Sequence, residues 1–287
     1  SGQVYFEIGK SIWGKAEDRQ GGMAMGADKN IVKLKRAFID WRVPDTDLKL
    51  RMGIQGIQLP NVAGGSAILD DDVAAVTASY QFNENVALTA MWARPYNDNY
   101  DARADRTNYQ DNMDLFALMV PLTFDGVKVT PWVMYAAMGP GMFGDKNSSF
   151  GASWSPVKKG MQSGFKGTDW NDSYGNAFWA GVTGEVTYWD PFRIAWDVNY
   201  GSASYEDQKM NREGWLASLL LEYKLDWGTP GIFGWYSSGD DGNVKNGSER
   251  MPTMSGCANF MSFMGDGNYG WGDPRLYDRN LTYAGTW

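Results

Sequence analysis

A chain of 287 residues is long enough for one large all-β domain or two ordinary ones. Its net charge of −8 and pI of about 4.7 argue against a nucleic-acid partner, because phosphate binding requires a basic surface. No run approaches the ~18 apolar residues of a spanning helix. A mean hydropathy of −0.44 still permits a barrel, whose lipid-facing residues occupy only every second position. The chain has no histidine, which removes Ser-His-Asp and Cys-His catalysis. Its single cysteine, Cys257, has no internal disulfide partner and no usual zinc set around it.

In chain order, the dominant signal is alternation with a period of two. After "QVYFEIGKSI", the stretch "RAFIDWRVP" places Ala37, Ile39, Trp41 and Val43 on one face and Arg36, Asp40 and Arg42 on the other, with Phe38 an exception. "LKLRMGIQ" sets Leu48, Leu50, Met52 and Ile54 against Lys49, Arg51, Gly53 and Gln55. Ala74, Val76, Ala78, Tyr80 and Phe82 share a face, and after a turn at "NEN" the pattern continues through Val86, Leu88, Ala90 and Trp92. "LFALMVPLTF" and "VKVTPWVMY" flank Asp125-Gly126, a tight-hairpin dipeptide. Next come "FWAGVTGEVTYW", then Phe192, Ile194, Trp196, Val198 and Tyr200 on one face, then Trp215, Ala217, Leu219, Leu221 and Tyr223. No helical period is sustained, so the chain reads as all-β.

The connections alternate in length. Short turns fall at 44–47, 83–85, 125–126, 190–191 and 226–229, and long connections at 14–30, 58–71, 95–113, 138–175, 201–213 and 237–279. In an up-and-down sheet this collects the long loops at one end. Aromatic residues on the apolar face form two bands. Trp41, Tyr80, Phe82, Phe124, Tyr188, Phe192 and Tyr223 lie near the short turns, and Trp92, Tyr135, Phe178, Tyr200, Trp215 and Tyr236 near the long loops. Two aromatic bands around an aliphatic middle match the interfacial girdles of a membrane barrel. A soluble core has no reason to sort its aromatics this way.

From "VYFEIGKSIWG" to "GIFGWYSSG" the chain resembles Gram-negative outer-membrane general porins. The late loop "SGCANFMSFMGDGNYGWGDPRLYDRNLTYAGTW" resembles major porins of sulfate-reducing bacteria. The resemblance implies a transmembrane antiparallel up-and-down β-barrel, commonly of 16 strands, assembled as a homotrimer in the bacterial outer membrane among its lipids and lipopolysaccharide. It also implies an aqueous pore for passive diffusion of ions and small hydrophilic solutes, with a long loop folded inside. Eleven strands are evident here, with a further candidate at "NLTYAGTW" that ends on Trp287. Residues 1–287 therefore read as a single barrel domain, either a 12-stranded barrel or, the preferred reading, the front three-quarters of a 16-stranded one.

If the apolar parity faces lipid, the other faces water. Arg36, Arg42, Lys49, Arg51 and Arg193 are then the basic pore-lining candidates, and Glu185, Asp197 and Glu222 the acidic ones. Asp98, Asp101, Asp105, Asp111 and Asp114 would oppose the basic row from an inward-folded loop, giving a transverse field that screens solutes by charge and size. Either 95–113 or 138–175 is long enough to form that constriction. Asp70, Asp71, Asp72, Asp240 and Asp241 are candidate calcium ligands without the spaced pattern of an EF-hand, and read better as acidic loop tips. No cofactor and no catalytic role is expected. The competing reading is a soluble carbohydrate-binding protein or glycosidase, as a propeller or sandwich, with Glu185 and Glu222 as its paired carboxylates.

Overall fold

The computed structural model of the chain describes residues 1–8, 32–61, 66, 68–97, 112–139, 160–161, 174–241, 243 and 245–254. Among these residues, twelve strands form one antiparallel up-and-down sheet: β1 (Gly2–Ile8), β2 (Val32–Arg42), β3 (Leu48–Gln58), β4 (Asp70–Gln81), β5 (Ala87–Asn97), β6 (Asn112–Met119), β7 (Leu122–Phe124), β8 (Val127–Met138), β9 (Gly175–Val186), β10 (Phe192–Tyr205), β11 (Arg212–Tyr223) and β12 (Gly231–Ser237). Neighbours in sequence are neighbours in the sheet, except that β6 and β7 both pair with β8. Pro121 lies between them and has no N–H to donate, so β6 and β7 are one traverse with a break in its ladder. The twelve strands thus make eleven traverses. "NLTYAGTW" lies outside the described residues.

All five short turns fall where alternation ends, and Asp125–Gly126 is a two-residue turn with Gly126 at φ 66°. One long connection is shorter than expected. β10 and β11 run on into 201–213, leaving residues 206–211 with a short 3-10 turn at Gln208–Met210.

Register carries the apolar face across the whole sheet. Ile39 pairs with Met52, Met52 with Val76, Val76 with Trp92 and Trp92 with Phe116. Phe116 pairs with Tyr135 and Tyr135 with Phe178, while Tyr200 pairs with Trp215. Most of these side chains are exposed, with Ile39 at 59%, Phe116 at 49% and Phe178 at 45%, while Val76 and Tyr200 are half-buried. The opposite face is buried and partly polar, with Gln55 at 2%, Thr183 at 3%, Asp197 at 1% and Ser218 at 5% exposed. The molecule is inside-out relative to a water-soluble sandwich.

The sheet curls around this buried face. Thr183 on β9 hydrogen-bonds the Pro60 carbonyl, two residues past the end of β3. In a flat sheet, the five strand spacings from β3 to β9 would separate them by about 24 Å. Two residues span at most about 7 Å. Only a curved wall brings them together. That single continuous sheet also replaces the propeller and sandwich of the soluble reading.

Candidate functional site: the inner face of the wall

The inner face has three levels along the strands. At the short-turn end it is charged. Arg51 and Asp40 are register partners on β3 and β2, with Arg51 Nε donating to Asp40 Oδ1 at 2.6 Å and Nη2 to Oδ2 at 3.0 Å. The Arg51 guanidinium also lies 4.1 Å from the centre of the Phe38 ring. Arg42 and Lys49 are direct cross-strand partners one step lower, and neither has an ion-pair partner among the described residues. These side chains border a cavity of about 620 Å³ that continues up the wall past Thr77 and Ser79.

Further round the wall, four strands contribute one ion-pair ladder. Lys128 on β8 reaches Glu185 on β9 at 2.9 Å. Arg193 on β10 donates to Glu185 from Nε at 2.9 Å and to Glu222 on β11 from Nη1 at 2.6 Å. Parity alone brings these groups to one face, and register aligns them: Lys128 opposite Glu185, Arg193 opposite Glu222. A single guanidinium bridges both glutamates, whose carboxylates are ion-pair acceptors.

The middle level is polar and buried. Asp197 accepts from Ser218 at 3.2 Å and lies 2.6 Å from the Thr183 hydroxyl, which also contacts the Pro60 carbonyl at 2.9 Å. Gln55 donates to the Ala75 carbonyl at 2.9 Å and accepts from Thr77 at 3.3 Å. These groups all have partners, whereas Asn199 Oδ1 and Trp132 Nε1, buried beside them on either side of Gly181, have no hydrogen-bond partner among the described residues.

The long-loop end is apolar. Met91, Met113, Met134, Met138, Met161, Met210, Met251 and Met254 are all buried, together with Leu115, Trp179 and Tyr205. Three inward segments complete this cluster and are tied to the wall and to each other. Trp179 Nε1 donates to the Pro252 carbonyl at 2.8 Å, Tyr205 to the Met161 carbonyl at 2.9 Å, and Arg212 Nε to the carbonyls of Arg250 and Met251 at 3.0 and 3.1 Å. Backbone bonds join Thr253 to Gly160 and Met254 to Ile68. Unbranched methionines suit such a site, because they fill irregular gaps between loops and strands.

Several expected placements change. Arg36 does not join Arg42, Lys49 and Arg51. A register shift where Tyr5 faces Arg36 and Phe6 faces Leu34 breaks the strict alternation of β2 at that point. The Arg36 guanidinium lies over Gly56 and bonds Asp72, the register partner of Gly56. Gly56 and Asp72 share the parity of the outward Ala74 and Val76, so this ion pair sits on the outer side of the wall near the long loops. Asp72 is thus a strand residue bound by Arg36, with Lys35 at 3.9 Å, and not a loop tip. Asp70 and Asp71 also belong to β4 and are exposed.

Asp114 belongs to β6, on the outward parity, and is not a loop acid facing the basic row. It accepts from Arg94 Nε and Nη2, both at 2.9 Å, from Trp92 Nε1 at 2.9 Å and from Asn112 at 2.7 Å. Asp98, Asp101, Asp105 and Asp111 lie outside the described residues. Asp240 and Asp241 do meet, with Glu249 as a third carboxylate within 4.8 Å, and Ser248 and Arg250 contact Asp240. Of the two candidate constriction loops, residues 98–111 lie outside the described residues. Gly160 and Met161 of the other are buried, together with Leu59, Ser66, Ile68, Leu69 and residues 251–254 of two further long connections, which the sequence does not mark as constriction loops.

No family model matches the chain, and no curated protein does. Among solved structures it is similar to OmpTdeltaL8, the loop L8 deletion mutant of OmpT, an outer membrane protein of Vibrio cholerae. The likeness has a TM-score of 0.39 and 11% identity, and covers 82% of this chain and 70% of that one. A likeness at that level is no argument for fold or function.

Proposed function

We propose that the chain is a general porin of the bacterial outer membrane, whose curled sheet is the wall of a barrel carrying ions and small hydrophilic solutes by passive diffusion. The observation that carries this reading is the reversal of burial: polar Asp197, Gln55 and Thr183 are covered while Ile39, Phe116, Leu219 and Tyr236 are bare. Water cannot be the medium around so continuous an apolar face, and an acyl-chain environment can. Phe192 and Tyr200 stand eight residues apart on β10, about 26 Å of strand. Tilted as barrel strands are, that separates the two aromatic rows by close to the height of a lipid-facing band.

The inner face supplies the transport properties. Arg42 and Lys49 line the inner cavity near the short turns without an ion-pair partner among the described residues, and their field favours anions at that level of the path. The Met-rich segments at the other end narrow it. No step needs a catalyst or an energy source. The homotrimer rests on the resemblance to general porins, and native mass spectrometry in detergent tests it: three chains per particle support it and single chains refute it.

Reconstitution into a planar bilayer tests the channel itself. Discrete conductance steps that scale with salt concentration support the porin. A protein that stays monodisperse without detergent, or inserts without conducting, defeats it.

A further inference from the structure

The inner cavity of about 620 Å³ is cationic at one side and apolar at the other, and a single register row crosses it. Arg42 pairs with Lys49, Lys49 with Ser79, Ser79 with Thr89 and Thr89 with Met119. Met91 lies two residues beyond Thr89 on β5, on the same face, and also borders the cavity. Parity and register alone therefore order the wall as two cations, two hydroxyls and two thioethers.

The cationic side calls for an anion. Like charges placed directly opposite one another on two strands repel, and Arg42 and Lys49 have no ion-pair partner among the described residues. Asp40 is the one acid among those residues that borders the cavity, and both of its oxygens are bonded by Arg51. Asp45, Asp47 and Glu84 of the neighbouring turns do not border it. Ser79 and Thr89 are bonded to one another at 2.9 Å, which uses one of their two hydroxyl hydrogens and leaves the other to donate. Guanidinium, ammonium and hydroxyl are together donors suited to the two oxygens of a carboxylate.

The apolar side calls for carbon. Met91 is buried within the methionine cluster, whereas Met119 is half-buried and packs at the edge of that cluster. An inorganic anion would leave Met119 against water, and a short aliphatic chain would cover it. A thioether adapts to such a chain without imposing a fixed shape. Three strand spacings, about 14 Å, separate Lys49 from Met119, a span that the lysine side chain and a short alkyl chain cover together. The cavity has the scale of a small-molecule site.

We infer that this cavity is a saturable site for short aliphatic carboxylates, with the carboxylate on Arg42 and Lys49 and the alkyl chain running over Ser79 and Thr89 to Met119. Its role in transport rests on the porin reading, which makes the cavity part of the solute path, and it names the solutes that the path favours.

The test is equilibrium dialysis of radiolabelled hexanoate, acetate and hexanamide against the full chain in nanodiscs, with empty nanodiscs as the blank. Hexanoate should bind saturably at one site per chain, about tenfold more tightly than acetate, the gain from taking roughly two methylenes out of water. Hexanamide, which has the chain without the charge, should not bind saturably. Arg42→Gln with Lys49→Gln should abolish hexanoate binding, and Met119→Gln should reduce it to the level of acetate. Equal affinity for hexanoate and acetate, equal affinity for hexanoate and hexanamide, or hexanoate binding that both variants leave unchanged overturns the site. A planar-bilayer recording of the same preparation separates the two readings. Chloride conductance with no saturable hexanoate binding removes the site alone, and saturable binding without conductance upholds the site and removes the porin.

Discussion

Asp197 and Val198 are consecutive on β10 and face opposite media. The Asp197 carboxylate is 1% exposed and held by Ser218 and Thr183, while Val198 is 43% exposed and has only side chains of its own parity around it. The same reversal repeats on each neighbouring strand. It assigns the side of the wall on which a charge can be tolerated, and from it the following outcomes are expected.

Leu219 lies midway between Trp215 and Tyr223 on the outward parity of β11. Leu219→Arg should destabilise the protein by about 2–4 kcal/mol, the cost of a cation near a bilayer midplane. Thr77→Arg, which points into the inner cavity, should cost far less. Denaturant titration of both variants refolded into vesicles measures the difference, and equal costs would contradict the assignment of faces.

Arg42→Gln with Lys49→Gln removes the two inner cations that have no acid opposite them. The reversal potential in a salt gradient should move toward cations, more at low salt than at high, because screening shortens their field. Arg36→Gln should leave selectivity unchanged, since Arg36 is bound to Asp72 on the outer side. A shift with Arg36→Gln and none with the double variant would contradict the placement of all three.

Gly181 sits between Trp132 and Asn199 in register, and a Cβ there would lie 2.3 Å from Asn199 Oδ1 and 2.5 Å from Trp132 Cε2. Gly181→Ala should therefore destabilise by about 1–3 kcal/mol through overpacking. Adding Asn199→Ala should recover part of that loss, a coupling that a double-mutant cycle reads directly. Additive costs would show that the two residues do not compete for one space. Asn199 is for the same reason a poor site for a larger side chain, although its parity alone reads as water-facing.

The wall was legible in the sequence and its contents were not. Alternation with a period of two located the strands and the five short turns, because one face of each strand meets a single medium. The two aromatic bands could be read for the same reason, though Phe116, which completes the upper row, was missed inside the doubly apolar "LFALMV". Alternation cannot choose a face where both are apolar, as on β6 and β8, where Leu115 and Met134 are buried beside exposed Phe116 and Val133. Nor can it see a register shift, which is why Arg36 reads as a neighbour of Arg42 and is not. Asp114 was read as part of a loop because its strand begins only two residues earlier. The ladder of Lys128, Glu185, Arg193 and Glu222 is the favourable case: three of the four were visible as inward-facing residues, and the pairing needed only the register. The methionine cluster depends on contacts such as Trp179 to Pro252 that are far apart in sequence, and no local pattern encodes them.

Trp179→Phe keeps the ring and removes the bond to the Pro252 carbonyl. A neutral hydrogen bond of about 0.5–1.5 kcal/mol corresponds to a several-fold change in the population of a detached segment. Trypsin cleavage after Arg250, which is exposed, should accelerate by that factor while the strands stay intact. An unchanged cleavage rate would mean that Trp179 does not hold the inward segment.

The opposite environments of the two faces are tested most directly by nitroxide labels at Val76 and Thr77, adjacent on β4, in a chain whose single cysteine, Cys257, is replaced by serine. After reconstitution into vesicles, the label at 76 should be relaxed by oxygen and shielded from a water-soluble nickel chelate, and the label at 77 should show the reverse. Equal accessibility of both labels to the nickel chelate would contradict a wall that has lipid on one side and water on the other.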